Sequence, residues 1–430
     1  MVSKRYGRLI GLTALALSAA VVAAGCSAGG GGQNGSNPTQ ADNGPVNLAF
    51  SAWEFEEPGK GDAIWDALKD YHGPNNNVTV QRVGIPYANY ADKIATEVGA
   101  KGGPDVFVLQ DSQFSTFAAA GLLVPLDDIQ KEYASTLNHT NDFGKVNGKY
   151  YGLAWEQSDY GLMYNKDLMA KAGIKIPTTY EELVAAAKEV HQKLGIWGYA
   201  NRSNINELDG WTLEINNWIS GFGGALSTNG KLTIDSPENV AAIKAYVDLF
   251  RSGVVPVGDS SSTLRQAFAL NQVGFVIENA GVASTLTQNP KNLINGMNLG
   301  VSPLPFPNPG GHTAIILAVN KYSPHVQQAK DFVRYILSQK AQEGLRTALT
   351  DTTLATDVPL EADFVKKNPF APEFMELGKH STDSVIQGFA KNSRAIYNVF
   401  LTAVQGLVTN GGDVQATLTK VQDQVVNQYG

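Results

Sequence analysis

The segment Gly103-Pro-Asp-Val-Phe-Val-Leu-Gln-Asp111 narrows the choice of fold more than any other stretch of this chain. A Gly-Pro turn feeds a short run that is apolar at every position, so alternate side chains on both faces of such a strand need cover. A strand of this kind belongs inside a mostly parallel sheet with helices on either side. Val46-Asn-Leu-Ala-Phe50 reads as an earlier strand, and a helix with Ile64, Leu68 and Tyr71 on one face follows it. Val78-Thr-Val-Gln-Arg-Val83 is a further strand. Strand, helix and strand in succession are the βαβ arithmetic of an α/β protein. Thr179-Tyr-Glu-Glu182 is a capping box opening a helix that Gly195 should stop, and Ser236-Pro237 opens another that should end at Gly253. Ser323-Pro324 begins a helix carrying Phe332, Val333 and Ile336, and two amphipathic stretches close the chain, Ile396 to Leu407 and Val414 to Val425. With 430 residues the chain exceeds what one core supports, so at least two domains are expected.

Composition removes several classes. The 17 Phe, 16 Tyr and 6 Trp supply apolar area that a disordered chain lacks. One cysteine excludes a disulfide scaffold. With 33 basic against 40 acidic residues and an isoelectric point near 5.5, the chain has no basic footprint for a phosphate backbone, and nucleic acid is not an expected partner.

The N-terminus decides the compartment. Lys4, Arg5 and Arg8 precede a run from Leu9 to Ala24 of apolar and small residues, which is an export signal. The run is shorter than the ~20 apolar residues a spanning helix needs. It ends in Ala23-Ala24-Gly25-Cys26, which resembles the lipobox of bacterial lipoproteins, although Ala23 stands where a larger aliphatic residue is usual. The expectation is a lipoprotein signal peptide at 1–25 and lipidation of Cys26. A plain secretory signal is the competing reading. Residues 26–45, rich in Gly, Ser and Asn, then form a flexible tether spanning about 25 Å. The protein is expected on the outer side of the cell membrane, held by lipid.

Catalytic signatures are missing. The sequence contains no HExxH, no GxSxG, no phosphate loop ending in Gly-Lys-Ser/Thr and no Cys/His spacing suited to zinc, so neither a metal nor a cofactor is expected. A secreted glycoside hydrolase stays open as the alternative, because paired carboxylates leave no motif. Aromatic and polar residues cluster instead at strand ends: Trp53-Glu54 after the first strand, Gln110-Asp111 after the third, and Trp155-Glu156 between apolar segments. Ligands of open α/β sheets bind beyond the carboxyl ends of strands. A flat ring suits the apolar face of a pyranose, and carboxylates and amides accept its hydroxyl protons.

Four segments then carry a family likeness. They are Ala100-Lys-Gly-Gly-Pro-Asp-Val-Phe-Val with Ala120-Gly-Leu-Leu-Val-Pro-Leu-Asp127; Gly148-Lys-Tyr-Tyr-Gly-Leu-Ala, running on through Tyr164-Asn-Lys-Asp-Leu to Ala172–Leu183; Phe268-Ala-Leu-Asn-Gln-Val-Gly-Phe; and Ala318-Val-Asn-Lys-Tyr-Ser-Pro324. In this order and spacing the chain resembles the extracellular solute-binding lipoproteins of ATP-driven sugar importers, the maltose-binding-like group. Ala154 stands where that family has Pro, and Gly281 near an aromatic position. The resemblance implies a two-lobed periplasmic-binding-protein-like α/β fold with a hinge and an interlobe cleft. One lobe would hold residues 46–157 plus 282–320, the other 158–281 plus 321–430, with crossings near 157–160, 278–281 and 321–323. It implies a monomer that captures a carbohydrate by domain closure, hands it unaltered to membrane permease subunits of the ABC transporter, and is no enzyme. The six tryptophans suggest an oligosaccharide. Carried over, the ligand residues would be Trp53, Glu54, Gln110 and Asp111 from the first lobe; Trp155, Glu156, Asp159 and Asn279 by the hinge; and Glu207, Asp209, Trp211, Trp218, Arg394 and Tyr397 from the second.

Overall fold

A computed structural model describes residues 44–430 apart from Pro58 and Asp383. The expected signal peptide, Cys26 and nearly all of the expected tether lie outside the described residues. Among those described, no helix is long and apolar enough to cross a membrane.

The strand signals are realised at Val46–Ala52, Val78–Gly84 and Val106–Gln110. The first strand pairs in parallel with both others, and every residue of Val106–Gln110 is buried. Helices form where the start and stop signals stand. Thr179 Oγ1 accepts from the Glu182 amide (3.2 Å) to open Tyr180–Leu194, and Gly195 ends it with φ 68°, a left-handed conformation that costs glycine little. The Glu182 carboxylate reaches one residue further back than a capping box requires, accepting from the Thr178 amide at 2.8 Å.

These strands are part of one nine-stranded mixed sheet. Its path runs Val78–Gly84, Val46–Ala52, Val106–Gln110, His312–Val319, Gly152–Asn165, Val273–Asn279 and Trp197–Ala200, and the remaining two strands, Leu299–Ser302 and Thr353–Leu354, pair with Gly152–Asn165 off this path. The long strand Gly152–Asn165 joins the halves: residues 152–159 pair with His312–Val319, and 160–164 pair with Val273–Asn279.

The apolar side chains separate accordingly. One cluster gathers residues from Val46 to Trp155 and from Ala314 to Ala355. A second gathers Tyr160 to Ile277, Leu304, Phe306 and Ile386 to Val425. Leu162, Phe275 and Ile277 face this second cluster, while their strand neighbours Met163 and Val276 face a third that includes Leu286, Ile294 and Phe374. The two halves thus have separate cores, the mark of a two-lobed α/β protein. Packing differs from the division expected from sequence at two places. Ala329, Phe332, Val333 and Ile336, expected with 158–281, pack in the first cluster. Ala283 and Leu286, on the helix Ala280–Gln288 and expected with 282–320, pack on the second half rather than the first, and Ile294, Leu299, Leu304 and Phe306 do the same. Both helices obey their own amphipathic pattern, which says that a face is buried and not against which sheet.

Candidate functional site

Where the strands pass from one core to the other, the carboxyl ends of the first lobe's strands and the loops of the second face a common space. It consists of two adjoining cavities of about 400 and about 300 Å³, within the range of small-ligand sites. Trp53, Tyr87, Gln110, Gly210, Ser261 and Arg265 line both. Trp53 and Gln110 stand at strand ends, as does Tyr87, which opens the helix Tyr87–Gly99 just after Val78–Gly84. The floor is built by the crossing strands, through Glu156, Ser158, Tyr160, Thr313 and Ile315.

Seven of the expected residues are brought together here. Trp53, Gln110, Glu207, Asp209 and Arg394 line the larger cavity, and Glu156 and Asn279 the smaller. The Trp53 ring meets Tyr87 and Tyr90 edge-on, with centroids 5.8 and 5.1 Å apart. Gln110 Nε2 donates to the Tyr87 hydroxyl at 3.2 Å. Glu207 Oε2 accepts from the Ser261 amide at 2.6 Å. Asn279 caps the helix Ala280–Gln288 by accepting from the Val282 amide (3.1 Å) and is also joined to Ser158 (3.1 Å). Arg394 spans the mouth, 3.2 Å from Asp209 and 3.6 Å from Asp92.

The other seven line neither cavity, and each has a physical reason to lie elsewhere. Trp211 and Trp218 share a helix face, as their spacing requires, but it is the core face: both are fully buried, and Trp211 Nε1 donates to the Tyr246 hydroxyl at 3.0 Å. Trp155 is the extra residue of a β-bulge, since Ile315 pairs with Glu156 and Ile316 with Ala154. The bulge sends the indole into the core against Phe50 (5.6 Å) and leaves Glu156 on the cleft floor. Glu54 lies behind that indole, accepting from Trp155 Nε1 at 3.1 Å, and burial pushes its carboxyl up to about 8. Asp111, the first residue of the helix Asp111–Ala119, is buried and accepts from the Ser112 amide (2.7 Å) and from the Ser384 hydroxyl (3.2 Å). Asp159 accepts from Gln157 Nε2 at 2.7 Å in a site so tight that a Cβ on Gly378 would stand 2.2 Å from its Oδ2; burial raises it to about 7. Tyr397 donates to the Ser384 carbonyl (3.0 Å) and borders a separate cavity.

Sequence reasoning missed Tyr87, Tyr90, Lys60, Arg202, Ser261 and Arg265. The strand-end rule, applied to Val78–Gly84 and to Trp197–Ala200, would have pointed to Tyr87 and Arg202. Arg202 is buried between Glu214 (2.7 Å) and Glu278, and its Nε donates to Ser261 Oγ at 2.8 Å. Arg265 binds Glu278 with two donors, at 2.9 and 3.2 Å. Burial works against the Glu278 charge, yet the two guanidiniums hold its carboxyl below the usual value; Glu214, with burial dominant, is raised to about 7. Among the described residues no group of His, Cys, Asp and Glu is arranged to hold a metal ion. Aromatic rings, paired charges and hydrogen-bonded amides line a space of the size that a small polar solute fills.

Comparison with known proteins agrees with this geometry. The profile of the family described as bacterial extracellular solute-binding protein matches residues 56–343. The sn-glycerol-3-phosphate-binding periplasmic protein of Agrobacterium fabrum is 23% identical over 336 residues, 71% of this chain and 74% of the relative. The multiple sugar-binding protein of Streptococcus mutans is 24% identical over 364 residues, covering 79% and 80%. Among solved structures, maltose-bound MalE3 of T. maritima superposes with a TM-score of 0.76 at 22% identity, over 89% of this chain and all of that one. The GacH receptor of Streptomyces glaucescens, solved with and without acarbose, gives 0.77 at 21% identity over 89% and 98%. The fold is that of the two-lobed periplasmic binding proteins, and the chain belongs to the bacterial extracellular solute-binding protein family.

Proposed function

We propose that this protein is a lipid-anchored receptor that captures a carbohydrate between its lobes and delivers it, chemically unaltered, to the permease of an ABC importer. The observation that carries this reading is the placement of the cleft: it lies over the strands that join two separate cores, and each lobe supplies part of its lining. A solute that touches both walls gains its full set of contacts only when they approach. Its differential affinity therefore shifts the population toward the closed form. Tyr87 and Trp53 offer ring faces and edges to a sugar, while Gln110, Glu156, Asn279 and Arg265 offer hydrogen-bond partners to hydroxyls. A Kd of about 1 μM asks for only about −8.2 kcal/mol of net binding, which a few such contacts supply after ordering costs.

The two relatives are named for binding multiple sugars and sn-glycerol 3-phosphate. Both are hydroxyl-rich, and the permease-coupled role is common to them. Lipidation at Cys26 would keep the receptor at the outer membrane surface while the tether lets its body reach the permease. The test is a thermal-shift screen against a sugar panel with product analysis on the same samples. A raised melting temperature with intact sugar supports capture. New reducing ends would favour the glycoside hydrolase alternative instead. Mass spectrometry of membrane fractions tests the anchor: a diacylated Cys26 peptide supports it, and a soluble chain with a free thiol contradicts it.

A further inference from the structure

We propose that Asp111 and Thr116 are positioning residues for closure: they latch the first lobe to residues 384–394 of the second, beside the cleft and outside the space a solute fills. This rests on the solute-capture reading above, in which the lobes approach, and it holds whatever the solute's chemistry.

The latch joins two separately packed pieces. The helix Asp111–Ala119 follows the strand Val106–Gln110, and its Phe114, Phe117 and Ala118 lie in the first core. Residues 384–394 belong to the other lobe, for Ile386 and the flanking Ile396 and Tyr397 lie in the second core. Gln113 of that helix and Arg394 both line the larger cavity, so the two pieces meet at the rim of the cleft. Ser384 Oγ there donates to Asp111 Oδ2 at 3.2 Å, and the Thr116 hydroxyl lies 3.1 Å from the Ala390 carbonyl. Neither Asp111 nor Thr116 lines the cleft.

Both sides are built so that this contact can be made and broken. On the first lobe Asp111 keeps the Ser112 amide at 2.7 Å, and the Thr116 hydroxyl has a second acceptor in its own helix, the Ser112 carbonyl at 3.0 Å. The one hydroxyl proton of Thr116 can turn to that carbonyl when the lobes part, so opening strands no donor there. On the second lobe the segment is held ready. Tyr397 donates to the Ser384 carbonyl (3.0 Å), and Ser393 Oγ joins the Ile386 amide (3.3 Å) to the Phe389 carbonyl (3.1 Å). Closure therefore orders little that was loose. Asp111 and Ser384 are 3% and 2% exposed, so the approach of the lobes takes a carboxylate out of water while the Ser384 hydroxyl supplies a donor to it from across the rim. The outer pair of Arg394 with Asp92 is solvent-exposed and contributes less.

A contact that touches no solute stabilises the closed form equally for every solute. Its loss should weaken all of them by one factor, and through dissociation, because the latch forms after encounter.

Titration calorimetry and stopped-flow tryptophan fluorescence on the full chain test this with maltose, mannitol and sn-glycerol 3-phosphate as probes. Ser384→Ala should weaken every probe that binds by the same factor, about tenfold, equivalent to about 1.4 kcal/mol, with the change in the dissociation rate. Thr116→Val should act in the same way at roughly threefold. Asp111→Ala together with Ser384→Ala should lose no more than Asp111→Ala alone, since both remove one bond. Melting without a probe should move by only a few degrees in the two hydroxyl variants, which carry the test if Asp111→Ala folds poorly. Unchanged affinity in Ser384→Ala, or losses that differ tenfold between probes, would overturn the latch and leave solute capture standing. Silence from all three probes and from the sugar panel would overturn the capture reading, and the latch with it.

Discussion

Tyr87→Ala and Trp211→Ala should separate binding from folding, because the two aromatic rings occupy opposite kinds of place. Tyr87 is 43% exposed and lines both cavities, so the free protein leaves much of its ring in water for a ligand to cover. An aromatic side chain buries about 150 to 250 Å² in all. The exposed share is then about 65 to 110 Å², which at roughly 25 cal/mol per Å² is about 1.6 to 2.7 kcal/mol of ligand contact. Truncation should weaken sugar binding roughly 15- to 90-fold and barely change unliganded stability. Trp211 has no exposed surface and donates to Tyr246 inside the second core. Its loss should cost about 3 to 5 kcal/mol. For a folded body of this size that lowers the melting temperature by about 5 °C, with affinity per folded molecule held within twofold. Titration calorimetry and a melting scan on the same preparations read both quantities. The reverse pattern, binding lost in Trp211→Ala and kept in Tyr87→Ala, would refute the assignment of cleft and core.

Three further outcomes follow from the charged groups. Asp159 has an ordinary value of 3.8 and is raised by burial to about 7, so the folded state holds a proton there that the unfolded state has released; stability should fall as pH rises between these values. Asp159→Asn should therefore gain on the natural protein steadily from about pH 4 to pH 7 and then level off, and a constant difference in urea midpoints across that range would contradict this. Arg202→Met leaves Glu214 and Glu278 without their shared buried cation and should cost about 3 to 5 kcal/mol; an unshifted denaturation midpoint would show that the network is not buried as described. Asp92→Asn removes one partner of Arg394 at the cleft mouth, a solvent-exposed pair worth under about 1 kcal/mol, so sugar affinity should fall by a few-fold at most. That small effect should vanish in high salt, and a loss of a hundredfold would mean the pair does more than trim closure.

The fold was legible because its signals are local. The short apolar run 106–109 behind a Gly-Pro turn reads as a covered strand, and Thr179 or Ser236 marks a helix start without reference to the rest of the chain. The strand-end rule likewise found Trp53 and Gln110, whose position follows from topology. It failed where two answers share one pattern. Seven-residue spacing puts Trp211 and Trp218 on a common helix face, and nothing local tells whether that face meets a ligand or a core. Trp155 and Glu156 are neighbours in sequence, but the bulge at Trp155 assigns one to the interior and the other to the cleft, a choice made by register with His312–Val319. Arg265 and Lys60 gave no signal, since each is held by a carboxylate of another element, Glu278 or Glu156, that only the folded strands bring near.

A crystal structure grown with a bound neutral sugar tests the central claim most directly. The account predicts the sugar over the crossing strands, with a ring against Tyr87 or Trp53 and a hydroxyl donating to Glu156. A sugar seated instead in the separate cavity beside Tyr397, with the space around Trp53 and Arg265 left to solvent, would contradict it.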